Sequence, residues 1–82
     1  MVSVKFFGML RLDIKQSADM MEAGNIDELL KVLAAKYYMV DPDRFRNSII
    51  LINGVNMNKL KRYRTRLKSG DEIMFLSSVS GG

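Results

Sequence analysis

Val2, Val4 and Phe6 alternate with Ser3, Lys5 and Phe7, the period of a strand, with Phe7 breaking the polar face. Gly8 punctuates the run. Leu12, Ile14, Gln16, Ala18 and Met20 then share one parity and Asp13, Lys15, Ser17 and Asp19 the other. This predicts a second, more exposed strand, folded back as a hairpin over Gly8 to Arg11. Ile26, Leu29, Leu30, Leu33 and Tyr37 fall at i, i+3, i+4, i+7 and i+11, which predicts a helix from Asn25 to Tyr38. Asn25 is placed to cap its first turn, and Glu28 stands three residues on, as in a capping box. Asp27 and Glu28 put negative charge at the helix end that favours it. The helix is expected to stop before Asp41-Pro42-Asp43.

Ser48 to Asn53 is a short, β-branched apolar run, the mark of a buried strand. Asn53-Gly54 predicts a tight turn, with Val55 to Leu60 returning as a short strand. Ser69-Gly70-Asp71 marks another turn before a last strand, Glu72 to Ser78, apolar on both faces. The order is strand, strand, helix, strand, short strand, strand. That is an α+β architecture, one main helix on a mixed sheet of four or five strands. Phe6, Ile26, Leu29, Leu30, Leu33, Ile50, Ile52, Ile73 and Phe75 are its predicted core. Of the methionines, Met57 and Met74 are expected as core or strand-edge filler, and Met20 and Met21 as candidates for surface contact.

Composition narrows the chemistry. The 82 residues include no Cys and no His, so there is no disulfide, no imidazole base and no zinc site of the usual kind. No Ser-His-Asp set, phosphate-binding glycine loop or metal-ligand spacing is present. The Asp27/Glu28 and Asp71/Glu72 pairs are better explained by a helix start and a turn than by acid–base catalysis. No charged leader precedes a long apolar stretch, and the run Ile49 to Ile52 is far too short to span a membrane. The expected setting is soluble and cytoplasmic.

Charge is concentrated in one place. Lys59 to Lys68 holds six cations and no acid, leaving 7 of the 13 basic residues against 9 acidic ones elsewhere, a net charge of −2. Three readings stay open for this segment. It guards a sheet edge, it docks onto an acidic partner, or it binds nucleic acid with Tyr63 as a stacking surface; the first two are favoured. The sequence ends Gly81-Gly82. Two such glycines arise by chance about 0.5% of the time, so either the tail is a bland, frayed end or the Gly82 carboxylate is itself the reacting group. A Gly-Gly end is thin enough to thread a narrow channel, and six residues from Ser77 could reach roughly 20 Å.

Taken together, Val4-Lys5-Phe6-Phe7-Gly8-Met9-Leu10-Arg11, one amphipathic helix, Asn53-Gly54, Leu67-Lys68-Ser69-Gly70-Asp71-Glu72-Ile73 and the ending Phe75-Leu76-Ser77-Ser78-Val79-Ser80-Gly81-Gly82 resemble the MoaD/ThiS group of ubiquitin-like sulfur carriers. The resemblance spans the whole chain and is nearest to the molybdopterin synthase small subunit. It implies a β-grasp domain over residues 1–76 and a flexible tail over 77–82. It implies a non-catalytic carrier subunit with no bound cofactor, whose activating enzyme uses ATP and Mg²⁺. That ubiquitin-activating-like adenylyltransferase adenylates Gly82, and sulfur transfer makes a thiocarboxylate. The tail then enters the synthase large subunit, where a pterin precursor takes the sulfur for the molybdenum or tungsten cofactor. Gly81 keeps the channel passable, and Phe7, Arg11, Leu76 and Val79 match partner-contact positions. Prolines common in the family's tail are replaced here by Ser77 and Ser78, which implies a looser tail. Length favours the molybdopterin type over the shorter thiamin type. The alternatives are a protein modifier joined to lysines through Gly82 and a small basic nucleic-acid-binding domain.

Overall fold

The computed structural model describes residues 1–77. Five strands form one mixed sheet in the order β2-β1-β5-β3-β4. They are β1 (Val2–Phe7), β2 (Ala18–Met21), β3 (Ile49–Ile52), β4 (Val55–Asn56) and β5 (Glu72–Leu76). β1 and β5 run parallel at the centre, and the other pairings are antiparallel. The helices are α1 (Met9–Ile14), α2 (Ile26–Lys36) and α3 (Pro42–Arg46). No described helix is long and apolar enough to cross a membrane.

The core follows from the two periods. Val2, Val4 and Phe6 of β1, Ile73 and Phe75 of β5, and Ile50 and Ile52 of β3 are buried on one face of the sheet. Ile26, Leu29, Leu30 and Leu33 of α2 are buried with them, so every predicted core residue is in the core. Phe6, Phe45 and Phe75 form a ring cluster with centroids 6.1–6.5 Å apart, and Tyr37 closes it 5.8 Å from Phe6. The Tyr37 hydroxyl donates to Asp19 Oδ2 at 2.5 Å, where Lys36 Nζ also donates. Burial alone would raise the Asp19 carboxyl, but bonds from Lys36, Tyr37 and the Met20 N–H outweigh it and hold it low. Burial and the same carboxylate push the Tyr37 hydroxyl up, so it stays protonated as a donor.

The α2 start is as predicted: Asn25 Oδ1 accepts from the Glu28 N–H at 2.8 Å, and Glu28 Oε1 accepts from the Gly24 N–H at 3.2 Å. Asp71 is likewise a turn residue, accepting from the Lys68 N–H at 2.8 Å and from Asn53 Nδ2 at 3.0 Å. These bonds, the Lys68 one foremost, hold its carboxyl below the ordinary range.

Three expectations are corrected, and one helix is added. The second strand spans only Ala18–Met21, and residues 9–14 are helix, not a hairpin limb. Leu10 and Ile14 are both buried, at i and i+4, whereas Leu12 is 66% exposed, which no inward strand face allows. Met21 belongs to the core and not to the surface, while Met20 is exposed. Asp41-Pro42-Asp43 starts a helix as well as ending one: Asp41 Oδ1 caps the Asp43 N–H at 3.0 Å, and Pro42 stands in the first turn. Past β4 the chain leaves the sheet in two short 3-10 turns, Met57–Lys59 and Arg62–Arg64.

Candidate functional site: an open sheet face at the root of the tail

Helices cover one face of the sheet; the other has no covering element among the described residues. The same strand alternation that sends Phe6, Phe75 and Ile50 inward sends Phe7, Leu76 and Ile49 outward. These three are register partners across β1, β5 and β3, Phe7 beside Leu76 and Leu76 beside Ile49. The next row places Met74 between Lys5 and Leu51. Phe7, Leu76, Met74 and Leu51 are half-buried by one another, and Ile49 is 50% exposed. Lys5 and Glu72, paired at 3.0 Å, give the patch a charged border. Contiguous outward apolar side chains with a polar rim make this face the candidate docking surface.

Of the predicted partner contacts, Phe7 and Leu76 are thus side by side. Arg11 is exposed on α1, at the end of the sheet where β1 and β5 stop, next to the exposed Met9 and Leu12. Val79, Gly81 and Gly82 lie outside the described residues. Sequence reasoning missed Ile49, Leu51 and Met74 because it assigned their strands to a core covered on both faces. The available signal was Phe7, whose breach of the polar face has the same cause.

Ser77 follows directly on β5 and is tied down. Its Oγ accepts from the Leu10 N–H at 2.9 Å and donates to the Phe7 carbonyl at 3.2 Å. Gly8, at φ +71°, leaves room for this hydroxyl: a Cβ there would lie 2.7 Å from Ser77 Oγ. Ser77 therefore caps α1 from 67 residues away in sequence, in the role a Ser usually fills at the helix's own N-cap. The looser tail implied by the missing proline does not begin at this residue. Ser77→Ala should cost about 1–2 kcal/mol, since it strands a partly buried N–H. It should also speed hydrogen exchange at the Leu10 amide. An unchanged denaturant midpoint together with unchanged exchange would show the cap to be idle.

The sheet order and open face are those of a ubiquitin-like β-grasp protein, and comparison with solved structures shows the same fold. Small archaeal modifier protein 1 from Methanosarcina acetivorans superposes with a TM-score of 0.86 at 31% identity, covering 99% of this chain and 95% of that one. The complex of subunits 1 and 2 of the molybdopterin-converting factor from Helicobacter pylori matches with a TM-score of 0.67 at 28% identity, over 99% and 97%. Urm1 from Trypanosoma brucei, at 22% identity, has a TM-score of 0.79 over 99% and 94% and shows the fold alone. Among curated protein sequences none matches. The ThiS family model matches residues 4–82, and the chain belongs to the ThiS family.

Proposed function

We propose that this protein is a sulfur carrier for molybdopterin synthesis, with Gly82 as its acyl group. The observation that carries the reading is the apolar row Phe7, Leu76 and Ile49 at the root of a tail ending Gly81-Gly82. A partner gripping that row receives the tail in a defined direction. The subunit 1 and 2 complex of the Helicobacter pylori factor, 28% identical over nearly the whole chain, supports a second subunit as that partner. In this reading residues 77–82 form the tail, and Val79 and Gly81 pass through the partner's channel.

The chemistry asks for a carboxylate and a recognisable surface, and the partners supply the catalytic groups. The Gly82 carboxylate attacks the α-phosphorus of ATP and pyrophosphate leaves, giving an acyl adenylate. A sulfide-level donor adds to the acyl carbon and AMP departs, leaving a thiocarboxylate. The sulfur then passes to a pterin precursor in the large subunit. Mg²⁺ and ATP belong to the adenylating enzyme.

A second reading, a modifier joined to lysines through Gly82, is favoured by the 31% identity to the Methanosarcina acetivorans modifier protein. Both readings use the same adenylate and part only afterwards. The intact mass of the protein from its own cell separates them. A gain equal to the difference between sulfur and oxygen is the expected result and marks the carrier. Isopeptide adducts on lysines, with no sulfur gain, would put the modifier first.

A further inference from the structure

The basic segment is not itself a strand. After Asn56 it leaves the sheet and wraps to the start of α2, where the Ile26 N–H donates to the Thr65 carbonyl at 3.1 Å and the Leu67 N–H to the Gly24 carbonyl at 2.9 Å. Met57, Thr65 and Leu67 are buried beneath it, and Thr65 Oγ1 accepts from the Lys61 N–H at 3.1 Å. The segment is thus a fixed arc that needs little ordering on contact.

Three further observations say what the arc fits. First, five of the seven basic residues outside Lys59 to Lys68, namely Lys5, Lys31, Lys36, Arg44 and Arg46, pair with carboxylates. By contrast Lys59, Lys61, Arg62, Arg64 and Arg66 are exposed and make no ion pair among the described residues. Asp27 and Glu28 line an open groove together with Arg64 and Arg66. Asp27 is already shared by Lys31 and Arg46, and Glu28 by the Gly24 N–H.

Second, one face of Tyr63 is already taken. It is half-buried, the Arg46 guanidinium lies 4.8 Å from its ring centroid, and its hydroxyl bonds the Arg46 carbonyl at 3.3 Å. Single-stranded nucleic acid binding draws on aromatic faces, and Arg46 occupies one face of Tyr63, the one aromatic residue between Lys59 and Arg66. Third, Leu60 stands 42% exposed between Lys59 and Lys61. An apolar anchor ringed by charge suits a protein pocket with an acidic rim.

The Arg66 end of the arc is remote from the tail root. Its Arg66 bridges Asn25 near the end of β1 where Val2 pairs with Met21, whereas Ser77 sits at the Phe7 end. Those ends are roughly 16 Å apart along the strand. We propose that Lys59 to Arg66 is a second docking surface, covered by an acidic patch and a Leu60 pocket on the adenylating enzyme that charges Gly82. This rests on the proposed function for the partner's identity. That enzyme is chosen because the carrier and modifier readings both require it.

The test is ATP–pyrophosphate exchange by the adenylating enzyme of the same organism. The unsubstituted protein is compared with the combined variant Arg62→Gln, Arg64→Gln, Arg66→Gln and with Leu60→Ser, all checked for fold by amide NMR spectra. The expected result is a KM raised about tenfold by the triple change with kcat little altered, because loss of steering slows association. The gap should shrink between about 0.05 M and 0.3 M salt. Leu60→Ser should raise KM at both salt concentrations, and Lys31→Gln should leave it unchanged. Normal exchange by the unsubstituted protein with equal KM for the variants overturns the docking surface and leaves the function standing. No exchange by the unsubstituted protein overturns both. Sub-micromolar, sequence-dependent binding of an RNA oligonucleotide that is lost in the triple variant also overturns it, in favour of nucleic acid, since non-specific binding is only about 10⁻⁴–10⁻⁶ M.

Discussion

Phe6→Ala is expected to destabilise the protein by about 3–5 kcal/mol. The residue is fully buried on β1, an inner strand, with Tyr37, Phe45 and Phe75 around it at centroid distances of 5.8–6.5 Å. Truncation removes a ring from three aromatic contacts and leaves a void that the flanking β5 and β2 pairings keep from collapsing. A domain of this length has a total stability of roughly 4–12 kcal/mol, so the change consumes a large share of it. Phe7→Ala, one residue on but on the open face, should cost less, because that ring is only partly buried. The contrast guards against a general effect of the strand. Urea melts of the three proteins decide the matter. A loss under about 1 kcal/mol for Phe6→Ala would contradict the packing described.

The legible parts of the fold were those in which one period acted alone. In α2 four apolar positions, with Tyr37 at its C-cap as the fifth, follow the helical repeat with no competing alternation, and the Asn25 cap and Glu28 agree with it. Over residues 9–14 the two periods coincide. Leu10 and Ile14 are four apart, which serves a helix face and a strand face equally, and Leu12 and Met20 extend the false alternation. The deciding partner, Ser77, lies at the far end of the chain and acts only after β5 has paired with β1. No local pattern carries that information. Phe45 was missed for a related reason: α3 has five residues, too few to display a repeat, so its one core side chain looked like part of a loop.

The site was half legible. Phe7 showed as a breach in alternation. Ile49 and Met74 did not, because an apolar run in a strand reads the same whether its second face meets a helix of its own chain or another protein. The basic arc was visible as composition. Its departure from the sheet in two short turns, its cations unpaired among the described residues and the engagement of Tyr63 by Arg46 are tertiary facts.

Deleting Gly82 is expected to abolish ATP–pyrophosphate exchange by the adenylating enzyme while leaving the fold intact. The described core ends at Phe75 and the last described hydrogen bonds are those of Ser77, so the deletion should change stability by less than about 0.5 kcal/mol. Exchange depends on one carboxylate meeting the α-phosphate of ATP in line. Shortening the tail withdraws that group by one residue, roughly 3.5 Å, and a misplacement of about 1 Å can already cost 10²-fold in rate. Adding one residue after Gly82 should be as harmful, since it moves the carboxylate by the same length in the other direction. Gly81→Val should also impair exchange, because a β-branched side chain stiffens the backbone and widens it against the channel. The three variants separate two explanations. A general need for a long tail would tolerate the added residue, whereas a need for the acyl group at one distance from the gripped row Phe7, Leu76 and Ile49 tolerates neither change of length. Exchange at the normal rate by the shortened protein would remove the carrier and modifier readings together. The open sheet face would then stand as a binding surface with no acyl chemistry attached to it.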